Sequence, residues 1–211
     1  MKTINIQCPS CGKQGEKKTQ SRIILSKDKQ ARDKILDGSY FEYECAGCNG
    51  RFFTNSPFLY NDDENGFMVY FVPGFKERSQ KVPTVLKTLK GFDTDGSILR
   101  VAASFSDFIE KIRIFEAELD DKVIEAVKLM YISMYEQDNG KKVHTMVFES
   151  TDDAGLHFGV YLEDTDFEVV LPKNVIGLAI VDFSVMFDDD PQGEFVVIDA
   201  EWLSEVLANK K

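Results

Sequence analysis

The order of apolar and polar positions gives the chain several distinct textures. Up to Pro73 short alternating runs dominate. Tyr40-Phe41-Glu42-Tyr43-Glu44-Cys45 alternates and predicts a strand, and Arg51-Phe52-Phe53-Thr54 predicts its partner. Residues 58–60 and 67–72 flank Asn65-Gly66, a hairpin-turn signal. Residues 25–37 carry Ala31, Ile35 and Leu36 on one side, predicting a short amphipathic helix with Ser26 as N-cap and Gly38 as the stop. These elements predict a ribbon that continues into a small aromatic-rich sheet ending near Pro73.

Residues 74–98 have no firm period and read as a linker with room for a short helix around 83–90. Then Phe105, Phe108, Ile109, Ile112 and Phe115 recur at helical spacing behind Ser104 and Ser106, either of which can cap. Asp120-Asp121 opens a second helix with Val123, Ile124, Val127, Tyr131 and Met134 on one side, ended by Asn139-Gly140. From Lys142 the alternation returns. Residues 143–149 and 156–163 flank a turn at 152–155, and 167–171 predict a third short strand. Pro172 suits a helix start, and Ile176, Ala179, Ile180, Phe183 and Phe187 keep a helical period, although 175–181 also fits a buried strand. Residues 195–198 read as a strand, and Asp199 caps a last helix carrying Trp202, Leu203, Val206 and Leu207.

Composition places this pattern in a soluble globular chain: 211 residues, 43% hydrophobic and 29% charged, with 17 Phe to supply a core. No apolar run approaches the roughly 18 residues of a transmembrane helix. The opening stretch from Met1 to Gln7 lacks a signal-peptide pattern, so a cytoplasmic location is expected. The net charge of -11 is uneven. Residues 1–60 hold ten Lys/Arg and six Asp/Glu, a net of +4, and the remainder holds 15 and 30, a net of -15. The acidic part would repel phosphates, so any nucleic-acid contact is expected from the basic front part.

All four cysteines lie in two Cys-x-x-Cys pairs, Cys8-Pro9-Ser10-Cys11 and Cys45-Ala46-Gly47-Cys48. Two intervening residues let a tight turn aim both sulfurs at one ion, and two facing turns complete a tetrahedron. In a reducing compartment this pattern points to metal, not disulfides. A thioredoxin-like motif would need a βαβ context, which is absent. Gly12 and Asn49-Gly50 follow the pairs and tolerate the positive φ that aims backbone N–H groups at sulfur. Lys13 and Arg51 could offset the dianionic charge of a four-thiolate zinc site. The expectation is one structural zinc on Cys8, Cys11, Cys45 and Cys48, with no open coordination position and hence no catalysis at the metal. The fold class is therefore α+β: a zinc-ribbon-like β module with an inserted helix at 1–73, a linker at 74–98, then a helix pair and an α+β C-terminal part at 99–211.

The paired cysteines, Tyr60-Asn61-Asp62 followed by 67–73, and Glu110-Lys111-Ile112 leading to Asp120-Asp121 resemble the bacterial and archaeal CpXC family, named for two Cys-Pro-x-Cys motifs. The resemblance is good as far as Met130 and looser beyond it. It implies a zinc-ribbon domain and assigns no reaction. The second pair lacks the motif's proline, which stiffens the turn but ligates nothing.

Other chemistry is sparse. His144 and His157 fall in the predicted 143–163 hairpin. A turn centred on Asp152-Asp153 would pair His144 with Tyr161 and His157 with Phe148, about four positions or roughly 13 Å apart along the strands, too far to share a metal. The acidic clusters at 62–64, 152–153 and 188–190 read as solvated turns, and none matches an EF-hand. No phosphate-binding glycine loop, nucleophile elbow or zinc-protease motif occurs, so the chain reads as a non-enzyme. Lys13, Lys17, Lys18, Arg22, Lys27, Lys29 and Lys34, with Tyr40, Phe41, Phe52 and Phe53, form a candidate nucleic-acid surface, diluted by Asp28, Asp33 and Asp37. The leading expectation is a non-catalytic zinc protein acting on a protein partner as adaptor or regulator. A nucleic-acid-associated regulator comes second. An enzyme with an unrecognised carboxylate site in the C-terminal part comes third. Oligomeric state is not legible.

Overall fold

The front of the chain makes two short antiparallel hairpins: β1 (Lys2–Gln7) with β2 (Gln14–Thr19), and β4 (Glu42–Glu44) with β5 (Arg51–Phe53). The computed structural model describes residues 2–75, 94, 96–187 and 193–209. The helix expected at 83–90 and the acidic run at 188–190 lie outside the described residues.

Between the hairpins run β3 (Arg22–Ile24), a 3-10 turn (Leu25–Lys27) and α1 (Ala31–Leu36). The helix is shorter than the apolar spacing predicted. Ser26 does not cap it; its hydroxyl donates to Asp63 Oδ2 at 2.6 Å, and its N–H to Asp63 Oδ1 at 3.1 Å. That bond ties the 3-10 turn to the hairpin of β6 (Phe58–Asp62) and β7 (Phe67–Phe71).

This third hairpin, β6–β7, does not extend the ribbon. β6 and β7 form the centre of a four-stranded sheet of order β3-β6-β7-β8, with β8 at Ile98–Ala102. β3 joins β6 in parallel and β8 joins β7 in parallel. Both faces of β6 and β7 are nearly all buried, which explains their continuous apolar runs.

Helix α2 (Phe105–Glu116) is capped by Ser104, whose Oγ accepts from Asp107 N at 3.0 Å. It packs against β7 and β8 on one side and β9 (Thr145–Thr151) on the other, so it lies between two sheets. Helix α3 (Asp121–Asn139) starts on the cap residue Asp120 and ends at Gly140, whose φ is 65°. The second sheet, β9, β10 (Leu156–Tyr161) and β11 (Asp166–Leu171), is antiparallel throughout.

Helix α4 (Val175–Asp182) settles the ambiguity at 175–181 in favour of helix. The strand expected at 195–198 reduces to a single bridge, Val196 to Arg100. Asp199 caps α5 (Ala200–Asn209), accepting from Trp202 N at 2.7 Å. The chain is thus α+β, with an N-terminal β part carrying the cysteines, a helix pair, and a C-terminal three-stranded sheet with helices.

Phe41 anchors the ribbon to this body. It sits just before β4, and its ring meets Phe53, Phe58 and Phe105 at centroid distances of 5.3, 5.1 and 5.4 Å. Main core residues run from Ile23 to Leu203 and span the front sheet, α2, α3 and the rear sheet.

Candidate metal centre

The two cysteine turns are built alike. In the first, Gly12 N donates to Cys8 O and Cys8 N to Lys13 O, at 2.9 and 3.0 Å. In the second, Asn49 N donates to Cys45 O and Cys45 N to Gly50 O, at 2.8 and 2.9 Å. Each loop closes through a residue of positive φ after its second cysteine, Gly12 at 72° and Asn49 at 56°. Glycine meets no steric penalty there, and asparagine is one of the few side chains that enters this region readily. β1–β2 carries the first turn and β4–β5 the second.

Gly15 and Lys17 of β2 help hold the hairpins face to face. A Cβ on Gly15 would land 1.9 Å from Tyr43 Oη, so the bare glycine of β2 is what lets the tyrosine of β4 lie against it. Lys17 Nζ reaches across to Tyr40 O, Glu42 O and Thr54 Oγ1 at 3.2, 2.8 and 3.1 Å. Burial depresses its pKa, and the nearby Glu42 carboxylate partly opposes that.

With the hairpins so placed, the four Sγ atoms lie within 4.8 Å of one another. Cys8 and Cys48 approach to 3.7 Å, and Cys11 and Cys45 to 3.6 Å. A tetrahedron with Zn–S bonds of about 2.3 Å has edges of about 3.8 Å, so the donor set fits one ion of that size. Cys8 and Cys45 are buried, and Cys11 and Cys48 face solvent. The N–H of Cys11, helped by that of Ser10, holds the Cys8 thiol down to about 6. The Gly47 and Cys48 N–H groups lower Cys45 similarly, Gly47 N lying 3.3 Å from its sulfur. At Cys11 the Lys13 N–H favours the thiolate, but the sulfurs of Cys45 and Cys8 outweigh it and push the thiol up to about 12. Four thiolates crowd one another, and a divalent cation among them removes that conflict.

Lys13 and Arg51 do not both serve as the expected counter-charges. Arg51 Nε pairs with Glu44 at 3.0 Å, and Lys13 Nζ donates to Ala46 O at 3.4 Å. Among the described residues, no other group of three or more Cys, His, Asp or Glu converges as metal ligands. The register sets Tyr161 opposite Thr145, with His144 just before the strand donating its N–H to Tyr161 O, and a bulge between His157 and Phe158 sets His157 opposite Ser150 and Phe158 opposite Phe148. The expected pairings of His144 with Tyr161 and of His157 with Phe148 are therefore both displaced.

A model of the family described as CpXC protein matches residues 6–128. The chain belongs to the CpXC family. The match covers both cysteine turns, the four-stranded sheet, α2 and the opening turns of α3. No curated protein and no solved structure matches the chain significantly.

The CpXC match also covers a feature that sequence reading missed. Between α2 and α3 lies a chain of buried ion pairs of alternating sign. Arg100 meets Asp121 through Nε and Nη2 at 2.8 and 3.0 Å. Lys111 bridges Asp121 and Glu125 at 3.0 and 3.4 Å. Lys128 joins Glu125 at 3.0 Å to both oxygens of Glu110 at 3.1 Å. Glu110 Oε1 also accepts Phe148 N at 2.6 Å. Burial alone would discharge Lys128, but the carboxylates of Glu125 and Glu110 hold its ammonium above the ordinary lysine value. Burial likewise opposes ionised Asp121, yet Lys111 and Arg100 hold it below the usual carboxylate range. The only sequence signal was a run of charges on otherwise apolar helix faces. Asp120-Asp121 read simply as a cap, and Asp120 alone does that work, accepting Lys122 N at 2.8 Å.

Proposed function

We propose that this CpXC protein is a non-catalytic zinc protein that works by binding a protein partner, with one zinc on Cys8, Cys11, Cys45 and Cys48 closing the ribbon. The observation carrying the metal assignment is the convergence of four sulfurs from two like-built turns. Four thiolates saturate a tetrahedral ion and leave no place for substrate water. A reducing, cytoplasmic compartment suits free thiols held for metal.

A protein partner is supported by helix α4. Leu178, Ile180 and Val181 are 53%, 42% and 74% exposed, whereas Ala179 is its buried residue. Helical spacing puts Leu178 and Val181 on one outward ridge. Exposed aliphatic clusters of this kind mark interaction surfaces. The basic front supports nucleic acid less well. Lys17 is bound across the hairpins, Lys29 pairs with Glu64 at 2.8 Å and Arg51 with Glu44.

The test is quantitative affinity capture from the native host, comparing the wild-type chain with Leu178→Asp/Val181→Asp of verified fold. A partner present at stoichiometric level with the wild type and at least tenfold depleted with the variant is expected. Identical protein profiles, or nucleic acid alone captured by both, would contradict the reading.

A further inference from the structure

The four sulfurs of the ribbon are not equivalent. Cys8 and Cys45 are 2% exposed, whereas Cys11 and Cys48 face solvent. Each turn thus supplies one deep sulfur and one outer sulfur. The outer sulfurs lie against glycines of the second turn. A Cβ on Gly47 would stand 3.4 Å from Cys11 Sγ, and one on Gly50 would stand 3.3 Å from Cys48 Sγ. Neither glycine has a φ in the left-handed region, so backbone conformation does not demand glycine at either place. What each bare glycine provides is room beside an outer sulfur. At Gly47 that room also seats the Lys13 stem, whose Cδ would be 2.6 Å from the added Cβ.

Close sulfur approaches cross from one hairpin to the other. Cys48 lies 3.7 Å from Cys8, and Cys11 lies 3.6 Å from Cys45. Each approach joins an outer sulfur to a deep sulfur of the opposite turn. A disulfide has its sulfurs about 2.05 Å apart, so each pair needs to close by only roughly 1.6 Å. The Lys17 hydrogen bonds and the fit of Tyr43 against Gly15 hold the hairpins together through groups that are not metal ligands. The same sulfurs therefore stay neighbours when the metal leaves.

Resting on the zinc assignment above, we propose that the four-cysteine centre is a peroxide-sensitive switch, in which oxidation exchanges one zinc for two cross-hairpin disulfides, Cys8–Cys48 and Cys11–Cys45. The outer thiolate of Cys11 or Cys48 attacks one oxygen of hydrogen peroxide. The O–O bond breaks, hydroxide leaves, and the sulfur becomes a sulfenic acid. The deep thiolate of the opposite turn then attacks that sulfur, the S–O bond breaks, and a second hydroxide leaves as the disulfide forms. For both pairs, four thiolates give four electrons to two peroxides. Four protons from solvent turn the four hydroxides into water, and the freed Zn²⁺ passes to solvent. The ribbon stays closed, because the disulfides tie the two hairpins that the metal tied. A dithiol reductant returns the four thiolates and with them the metal site.

The experiment starts from the full chain purified with its metal. Zinc is counted, hydrogen peroxide is added in steps, released zinc is followed with a chromogenic chelator, and disulfide-linked peptides are mapped by mass spectrometry. One zinc per chain at the outset is expected, released as about two equivalents of peroxide are consumed, with Cys8–Cys48 and Cys11–Cys45 as the linked peptides. Dithiothreitol followed by zinc should restore the starting state. Gly50→Ala sets a methyl beside Cys48 and should slow formation of Cys8–Cys48 at least threefold relative to Cys11–Cys45, with zinc content unchanged. If that variant does not load zinc, the wild-type peptide map decides. Protein without zinc before peroxide is added would overturn the metal assignment and the switch together. Zinc present but retained in a tenfold excess of peroxide would overturn the switch alone. So would disulfides within the turns, Cys8–Cys11 and Cys45–Cys48, sulfinic or sulfonic acids in place of disulfides, or unchanged relative rates in a zinc-loaded Gly50→Ala.

Discussion

Lys17 shows how one side chain can change its meaning between sequence and structure. Along the chain it is one of seven basic residues near the cysteines and a candidate for phosphate contact. In the fold its ammonium bridges two carbonyls and a hydroxyl of the opposite hairpin. Hydrogen bonds to a charged group contribute roughly 1.5–3 kcal/mol when formed in place of water contacts. Lys17 is only partly buried, so solvent screening trims that figure. Lys17→Ala is expected to destabilise the ribbon by roughly 1 kcal/mol after that discount. The readout is faster amide exchange in β4 and β5 with little change in β9–β11. Exchange unaltered in β4 and β5 would show that the bridge is not what joins the hairpins. The cysteines themselves were legible, because two-residue spacing and a following Gly or Asn are local requirements of a metal-binding turn. Which sulfurs sit deep was not legible, since it depends on how the hairpins meet.

At the scale of elements, helices were legible where a cap and a stop coincide with an apolar stripe, as at Ser104 for α2 and at Asp120 and Gly140 for α3. α1 is shorter than its spacing implied because Ser26 is drawn to Asp63, far along the chain. The interface of α2 and α3 was the larger surprise. Charged residues at helical spacing normally face water, and only tertiary packing reveals Lys111 and Asp121 as buried partners. Removing one member of a buried pair strands the other's charge, which typically costs about 3–5 kcal/mol. Asp121→Asn is therefore expected to lower stability by that order at pH 7. The sign with pH follows from Asp121 being held below the usual carboxylate range. Its contribution is present above the unfolded carboxylate value of roughly 3.9 and is lost as pH falls through the lower folded value. Denaturant titrations of wild type and Asp121→Asn should converge as the solution is acidified below about pH 4. A gap that stays constant down to about pH 2 would mean the ionised carboxylate is not the source.

On the scale of the whole molecule, the α+β class followed from alternation in the front, helical spacing in the middle and alternation again behind. The sheet order did not. β3 with β6 and β7 with β8 are parallel pairs, and parallel partners are joined by long connections that leave no local mark. Because β8 completes the front sheet, residues on both sides of 74–98 contribute to it, and Phe41 seats the ribbon on the same core. The four-cysteine cluster at the ribbon's tip is then linked to the body through the hairpins and one aromatic cluster. Among the described residues no helix is long and apolar enough to cross a membrane.

Sulfur coordination of a single ion underlies the functional account, and X-ray absorption at the zinc edge reads it directly. On protein purified without added metal, one zinc per chain with four sulfur neighbours at about 2.3 Å is expected, and Cys45→Ser should abolish that signal. A spectrum requiring nitrogen or oxygen ligands, or protein that is folded and free of metal, would contradict it.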